Sequence, residues 1–344
     1  MKERNYYFDN LKAFLIISVV LGHLIEMSVD KSNFLRSLFL MIYTFHMPLF
    51  IFVSGFFAKS CATNKDKLFQ RIINYLVLYV FFQTTIYLMN NLLYPNQNNK
   101  LSLFIVDGIA WYLLSLAIWH IFLIYIKDLK CKYVLPFIII LSLLVGYDSS
   151  VGDYLSLSRI IVYAPFFYLG YYLSEEKLSV FYNSRYATRI ASIFIVLLYF
   201  IVLYKYDSSL YQLRPMFTGR NSYNAVGLDN GALLRILCYC ITAIISFFIM
   251  LIIPKKKTIV SLIGQRTLQI YFIHKFVTMI YYYFNIPDLI LSSSSWAKYI
   301  FIPLSILLTF ILSFNFLSHP FKYISKLSKN IYFKIVKKGA LISE

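Results

Sequence analysis

The stretch LKAFLIISVVLGHLIEMS, residues 11–28, decides the fold of this chain. Its ionisable residues are only Lys12, His23 and Glu26, and most of the other positions are apolar. An α-helix needs roughly 20 apolar residues to cross the hydrocarbon core of a bilayer. The stretch therefore predicts a membrane-spanning helix that carries three ionisable side chains.

The rest of the 344-residue chain repeats this pattern, and its composition excludes a soluble globule. Hydrophobic residues make up 60% of the chain and charged residues 14%, whereas soluble domains carry about 25% charged residues. Disordered chains are also excluded, because they are poor in apolar residues. The apolar runs are continuous rather than alternating, which favours helices. We therefore predict an all-α, polytopic membrane helix bundle.

We predict about ten transmembrane helices, with both termini in the cytoplasm. Residues 1–317 would form one membrane domain, and residues 318–344 a basic cytoplasmic tail that lies on the inner leaflet as an amphipathic helix. The predicted spans are 11–28, 36–58, 72–93, 108–126, 133–147, 158–174, 190–206, 232–253, 267–284 and 297–317.

The distribution of basic residues supports this topology. The six predicted cytoplasmic segments hold 22 Lys and Arg residues, and the five external loops hold 4. Such an excess is typical of cytoplasmic loops. The net charge of +18 is thus explained by topology and by contact with anionic lipids rather than nucleic acid. The four cysteines lack metal-ligand spacing, so we interpret them as packing residues and predict no metal.

An ionisable side chain at membrane depth is costly and marks a candidate functional site. In the first span, Lys12 and His23 are eleven residues apart, so they share one helix face about 16 Å apart. Glu26 lies one turn beyond His23. This stripe is typical of a general base, His23 assisted by Glu26, and the alternative is a histidine that only bonds a neighbouring helix. The residues that we place at this depth are Lys12, His23, Glu26, His46, Asp107, His120, Arg159, Arg235, His274 and Lys275.

The second and ninth spans add candidates near His23. His46 falls at a similar depth, because the first two helices are antiparallel neighbours. Pro48 opens the backbone beside it, which is tolerated where the freed carbonyl finds a new partner or faces a cavity. Ser54-Gly55 permits close helix approach. In the ninth span Tyr271 and His274 share a face, and packing alone remains the alternative for all of these residues.

The two ends of the bundle carry further candidates. Near the outer surface, Trp111 and Arg159 are candidate substrate contacts, with an aromatic belt and a lipid or Asp153 partner as the alternatives. The polar external loop 207–231 is a candidate cover for this face. On the cytoplasmic side, Lys67 and Arg71 join Lys12 as a basic mouth for a phosphate-bearing ligand, the alternative being topology alone.

These motifs, in this order, resemble the acyltransferase-3 family of integral membrane O-acyltransferases, and most of all its fucose 4-O-acetylase-like branch. In that resemblance His23 matches the histidine regarded as catalytic, and Lys12 its basic partner, which is often Arg in the family. Lys keeps the charge but not the bidentate fork. The matching segments are Asp9-Asn10-Leu11-Lys12 with Lys-x10-His, Phe45 to Phe50, Ser54-Gly55-Phe56, Trp111-Tyr112-Leu113, Phe166 to Gly170 and Gly264 to His274.

The resemblance implies O-acetyl transfer in the bacterial plasma membrane. Acetyl-CoA would be the donor substrate, with its phosphates near Lys12, Lys67 and Arg71 and no tightly bound cofactor. The acceptor would be a sugar hydroxyl of a cell-surface polysaccharide or its lipid-linked repeat, with other polysaccharide-assembly proteins as partners. His46 or Tyr271 would stabilise the oxyanion. The rival hypothesis is a transporter or flippase for lipid-linked sugars or small anions.

Overall fold

A computed structural model of the chain describes residues 4–106, 108–152, 154–228 and 230–342, with side chains as far as residue 336. The hypotheses that involve Asp107 and Asp153 therefore lie outside the described residues. Within the described ranges the regular structure is helical, and the only β-type contact is an isolated bridge between Ile105 and Tyr154. The predicted all-α class is confirmed.

Sixteen α-helices follow one another along the described chain. They are α1 Tyr6–Ile25, α2 Asn33–Ala62, α3 Lys65–Leu93, α4 Trp111–Ile126, α5 Cys131–Leu144, α6 Leu157–Tyr172, α7 Glu175–Tyr182, α8 Tyr186–Lys205, α9 Asp207–Leu210, α10 Arg214–Thr218, α11 Gly231–Ile252, α12 Ser261–Gln265, α13 Thr267–Tyr283, α14 Ile286–Ser293, α15 Phe301–Leu312 and α16 His319–Ile342.

Each of the ten predicted spans coincides with a helix, and the chain is a polytopic membrane protein. Five helices of the described chain are long and apolar enough to cross a membrane, or six if α15 and α16, which meet at a 67° bend, form one broken span. Others, such as α4, are shorter. The fourth span was predicted from residue 108, but α4 begins at Trp111, because Gly108 has φ +58° and cannot continue a right-handed helix. The full count of crossings and the side of each terminus stay predictions.

The first helix lies at the centre of the bundle, where α2, α12, α13 and α15 pack around it. Asn10 ties it to the segment before α13. The Asn10 amide donates to the carbonyls of Pro254 and Lys256 at 2.9 and 2.8 Å, and its oxygen accepts from the hydroxyls of Thr258 and Ser261. These bonds hold α1 and the start of α13 side by side.

Small residues let α2 and α6 cross in direct backbone contact. A Cβ added at Gly55 would lie 1.9 Å from the carbonyl oxygen of Phe167, and one at Gly170 would lie 2.0 Å from that of Phe52. Real Cβ atoms essentially never come that close. The prediction that Ser54-Gly55 permits close helix approach is confirmed.

The proline inside α2 is accommodated by the neighbouring α11. Pro48 cannot donate to the carbonyl of Thr44, four residues earlier. That carbonyl accepts a hydrogen bond from the Thr242 hydroxyl at 2.9 Å. The expectation that the freed carbonyl finds a new partner is confirmed, and α2 stays helical past His46.

The basic tail forms the amphipathic helix α16, which packs against α3. Its buried positions Ile324, Ser328 and Tyr332 recur every four residues on one face. The Ser328 hydroxyl donates to the Asn74 side chain at 2.9 Å. The exposed positions include Tyr323 and Phe333, and contact of this helix with the inner leaflet stays a prediction.

Replacing Gly170 by Ala tests the crossing of α2 and α6. The new methyl group has no room against the Phe52 carbonyl, and overpacking of this kind costs about 1–3 kcal/mol. We expect the melting temperature of the protein, purified in detergent, to fall by several degrees, measured by intrinsic fluorescence. Gly152→Ala is the matched control, because a Cβ at Gly152 meets no atom within 4 Å. Equal melting temperatures for both variants would contradict this account.

Candidate active site

His23 and Glu26 form a hydrogen-bonded pair where α1 ends. The Nδ1 atom of His23 lies 3.1 Å from Oε2 of Glu26. An ionised carboxylate only accepts hydrogen bonds, so it places the proton on Nδ1 and leaves Nε2 with a free lone pair. The His23 side chain is 17% exposed and that of Glu26 is 37% exposed. The pair therefore has the form of a general base whose Nε2 atom is accessible to a substrate.

The other histidines at membrane depth have a different environment. In His46, His120 and His274, Nδ1 lies 2.7–2.9 Å from the carbonyl oxygen four residues earlier. All three side chains are buried. Nε2 of His120 and of His274 has no hydrogen-bond partner among the described residues. Within the described chain, His23 is the histidine at this depth that has a carboxylate partner.

Three helices bring the predicted histidines together around His23. The imidazole of His274, on α13, lies 5.4 Å from that of His23 between ring centroids. His46, on α2, interacts electrostatically with His23 and Glu26. His46 also packs edge-on against Tyr43, with the ring centroids 4.8 Å apart. Sequence spacing alone placed His46 and His23 at one depth. In the structure both belong to the group formed by His23, Glu26, His46 and His274.

A tyrosine that sequence reasoning missed fixes the end of α1. The Tyr282 hydroxyl donates to the carbonyl of His23 and accepts from the backbone N–H of Met27. It thereby satisfies a carbonyl that the end of the helix leaves open. The signal was present in the sequence, since Tyr282 follows Tyr271 by eleven residues and so shares its face of α13.

The segment 207–231, which we predict to be external, brings a cation to this end of the bundle. Arg214 and Lys275 interact electrostatically with the Glu26 carboxylate. The guanidinium of Arg214 lies 5.1 Å above the Phe39 ring. The loop is anchored on α6, where the Tyr163 hydroxyl donates to the Phe217 carbonyl at 2.5 Å. The contact of Arg214 with Glu26 was missed, because Arg214 lies on α10, a five-residue helix that is too short to show a periodic pattern in the sequence.

Trp111 and Arg159 form a stacked pair beside this group. The Arg159 guanidinium lies 5.3 Å from the Trp111 ring, and Trp111 stacks on Tyr163 at 5.3 Å. Trp111 is 6% exposed, whereas a belt tryptophan faces the lipid interface. Tyr43 interacts electrostatically with both Glu26 and Arg159, so the pair adjoins the His23 group.

A separate cavity of about 360 Å³ lies further toward the N-terminal end of α1. Lys12 and Arg71 line it together, as predicted for a basic mouth. Lys12 also pairs with Asp9 at 3.2 Å, and Arg71 donates to the Phe57 carbonyl at 3.2 Å. Lys67 is exposed at the start of α3 and is not one of the lining residues, so the structure does not bring it to this cavity.

The lining of the cavity follows α1 toward His23. Ile16 and Val19 continue the face that begins with Lys12, and Val19 lies one helical turn before His23. His23 itself is not one of the lining residues. The cavity therefore extends along α1 to within about one turn of the imidazole, roughly 6 Å along the helix axis.

Three hydroxyl groups gather on the wall of this cavity. The hydroxyls of Ser54 and Tyr112 are hydrogen-bonded at 2.7 Å. Tyr271 packs against Tyr112 and, with a ring-centroid distance of 6.0 Å, against His274. The Tyr271 hydroxyl donates to the Ile109 carbonyl, so its proton is already engaged. This wall links the cavity to the histidine group through α13.

Comparison with known proteins assigns the chain to a family. A family model described as an acyltransferase domain matches residues 5–332. No solved structure matches the chain.

Two curated relatives match over short stretches. The nodulation protein NolL of Sinorhizobium fredii is 46% identical over 61 residues, 17% of this chain and 17% of that protein. The NolL protein of Mesorhizobium japonicum is 34% identical over 67 residues, 19% of this chain and 18% of that protein. Each match spans less than a fifth of the curated relative, and the family assignment rests on the domain match: the chain belongs to the acyltransferase-3 family of membrane acyltransferases.

Proposed function

We propose that the protein transfers an acetyl group from cytoplasmic acetyl-CoA to a sugar hydroxyl of a cell-surface polysaccharide or its lipid-linked repeat unit. The observation that carries the proposal is the His23–Glu26 pair at the end of a stripe that begins with Lys12. Acyl transfer to a hydroxyl needs a base for the hydroxyl proton. The fucose 4-O-acetylase-like character of the acceptor and the bacterial plasma membrane belong to the same proposal.

The donor enters through the cavity below His23. The diphosphate and 3′-phosphate of acetyl-CoA meet Lys12 and Arg71 at its mouth, with Lys67 as an outer contact. The pantetheine arm follows the apolar wall of α1 past Ile16 and Val19. Lys12 and His23 are about 16 Å apart along α1, so the thioester has to lie at the far end of an extended arm.

The reaction requires one proton transfer in each direction. Nε2 of His23 takes the proton of the sugar hydroxyl as that oxygen attacks the thioester carbonyl, and Glu26 stabilises the resulting imidazolium. The tetrahedral intermediate then collapses, the C–S bond breaks, and the thiolate of coenzyme A takes the proton back from His23. His46 and Tyr271 are the proposed donors to the oxyanion. Each already donates to a backbone carbonyl, of Ile42 and Ile109 respectively, so either side chain has to exchange that bond for one to the oxyanion.

The acceptor sugar lies on the other side of His23, under loop 207–231. Arg159 is the proposed hydrogen-bond donor to the sugar, and the buried Trp111 ring on which it stacks holds it in position. His274 closes the site from α13. Membrane lipids and other proteins of polysaccharide assembly are the proposed partners.

Replacing His23 by Ala tests the base. Removal of a general base lowers rates by about 10²–10⁴-fold, so we expect acetyl transfer by the protein in detergent to fall to background. The transfer rate is measured from the release of the coenzyme A thiol. Glu26→Gln should retain part of the activity, since an amide still bonds Nδ1 but lacks the charge.

The control is His319→Ala, because His319 is exposed at the start of α16. Full transfer by the His23→Ala protein would refute the proposal. A wild-type protein that moves a lipid-linked sugar between leaflets but never cleaves the thioester would establish the flippase instead.

Replacing Lys12 or Arg71 by Ala tests the donor cavity. Each change removes a cation from the cavity mouth, so we expect KM for acetyl-CoA to rise about tenfold while KM for the acceptor stays within twofold. Lys65→Ala is the control, since Lys65 is exposed and does not line the cavity. Lys67→Ala, measured in parallel, shows whether that residue is an outer contact. Equal rises in both KM values would contradict a cytoplasmic donor cavity.

A further inference from the structure

A second cavity, of about 340 Å³, opens between α4, α5 and α6. It shares no lining residue with the cavity beside Lys12. Both α4 and α5 pack on α6, but they scarcely touch each other, so a groove remains between them with α6 as its floor. The walls include Trp119, Phe122, Tyr133, Phe137, Ala164 and Tyr168.

The groove is suited to hydrocarbon rather than to water. Two of the polar groups on its lining residues are the Trp119 indole N–H, which donates to the Ile160 carbonyl, and the Tyr168 hydroxyl, which donates to the Trp119 carbonyl. A buried water needs two to four polar partners, and these groups are already engaged. Phe122 and Phe137 are 54% and 62% exposed on the rims, so the groove opens to the lipid side of the bundle.

The length of the groove matches one leaflet. From Trp119 to Ile126 along α4 it extends about 10 Å, and from Tyr133 to Leu141 along α5 about 12 Å. Half of the hydrocarbon core of a bilayer is about 15 Å thick. The groove is therefore long enough to hold most of one acyl chain from a single leaflet.

Basic residues surround one end of the groove. Three lysines lie at the turn between α4 and α5, with one acidic residue, Asp128: Lys127 and Lys130 are in the turn itself, and Lys132 is in the first turn of α5. Lys130 and Lys132 are exposed, and the Lys132 ammonium lies 5.0 Å from the ring of Tyr133, which lines the groove. Lysines at a membrane surface attract anionic headgroups.

We propose that this groove is a binding site for one anionic phospholipid. Its acyl chain lies between α4, α5 and α6, and its phosphate contacts the lysines of the turn. The lipid completes the packing of α6, the helix that carries Arg159 and Tyr163. This site is independent of the acyl-transfer proposal.

Native mass spectrometry of the purified full-length protein tests the headgroup contact. Phosphatidylglycerol and phosphatidylcholine with identical acyl chains are titrated separately, and bound lipids are counted. We expect one tightly retained phosphatidylglycerol, held in preference to phosphatidylcholine. Changing Lys127, Lys130 and Lys132 together to Gln should weaken phosphatidylglycerol binding by about tenfold or more. The matched control changes Lys255, Lys256 and Lys257 to Gln, which removes the same charge from another loop.

Ala164→Phe tests the acyl chain, because the larger ring fills the floor of the groove. We expect this variant to lose one bound lipid with either headgroup. If it fails to fold, the lysine variants decide the question, since they change only the loop surface. Unchanged phosphatidylglycerol binding after the Lys127, Lys130 and Lys132 changes, or an equal loss in the control, would overturn the proposal.

Discussion

The hydrogen bond between His23 and Glu26 is the interaction on which the rest of the site depends. A carboxylate inside an apolar bundle is unfavourable unless it is paired, and here it has an imidazole at 3.1 Å and the charges of Lys275 and Arg214 nearby. Three neighbouring elements contact the pair or interact with its charges. Tyr282 fixes the backbone of His23, α2 supplies His46, and loop 207–231 supplies Arg214.

The environment of His23 differs from that of the other histidines at membrane depth. His46, His120 and His274 each bond a carbonyl of their own helix, which satisfies one nitrogen without any help from the rest of the fold. His23 instead depends on Glu26, and on α13 for the position of its backbone. The His23 side chain is also less buried than the other three, since 17% of its surface is exposed. This contrast favours His23 as the base without reference to any relative.

Helical periodicity accounts for what could be predicted from the sequence. It placed Lys12, His23 and Glu26 on one face, paired Tyr271 with His274, and identified the close approach at Gly55. Periodicity could not predict the positions of side chains that depend on tertiary contacts. Arg214 reaches the site from the short helix α10, and Lys67 lies one turn before Arg71 on α3 but does not line the cavity that Arg71 lines. The start of α4 was also predicted three residues too early, since hydropathy does not register the left-handed backbone of Gly108.

The clamp that Asn10 makes on residues 254–261 has a consequence for biosynthesis. Helix α1 carries His23, but the helix that bears its neighbour His274 is made some 250 residues later. Until then Asn10 lacks its anchors, and the carbonyl of His23 lacks the Tyr282 hydroxyl. A nascent chain that stops before residue 254 therefore lacks both sets of contacts, and the group around His23 can assemble only after α13 has been made.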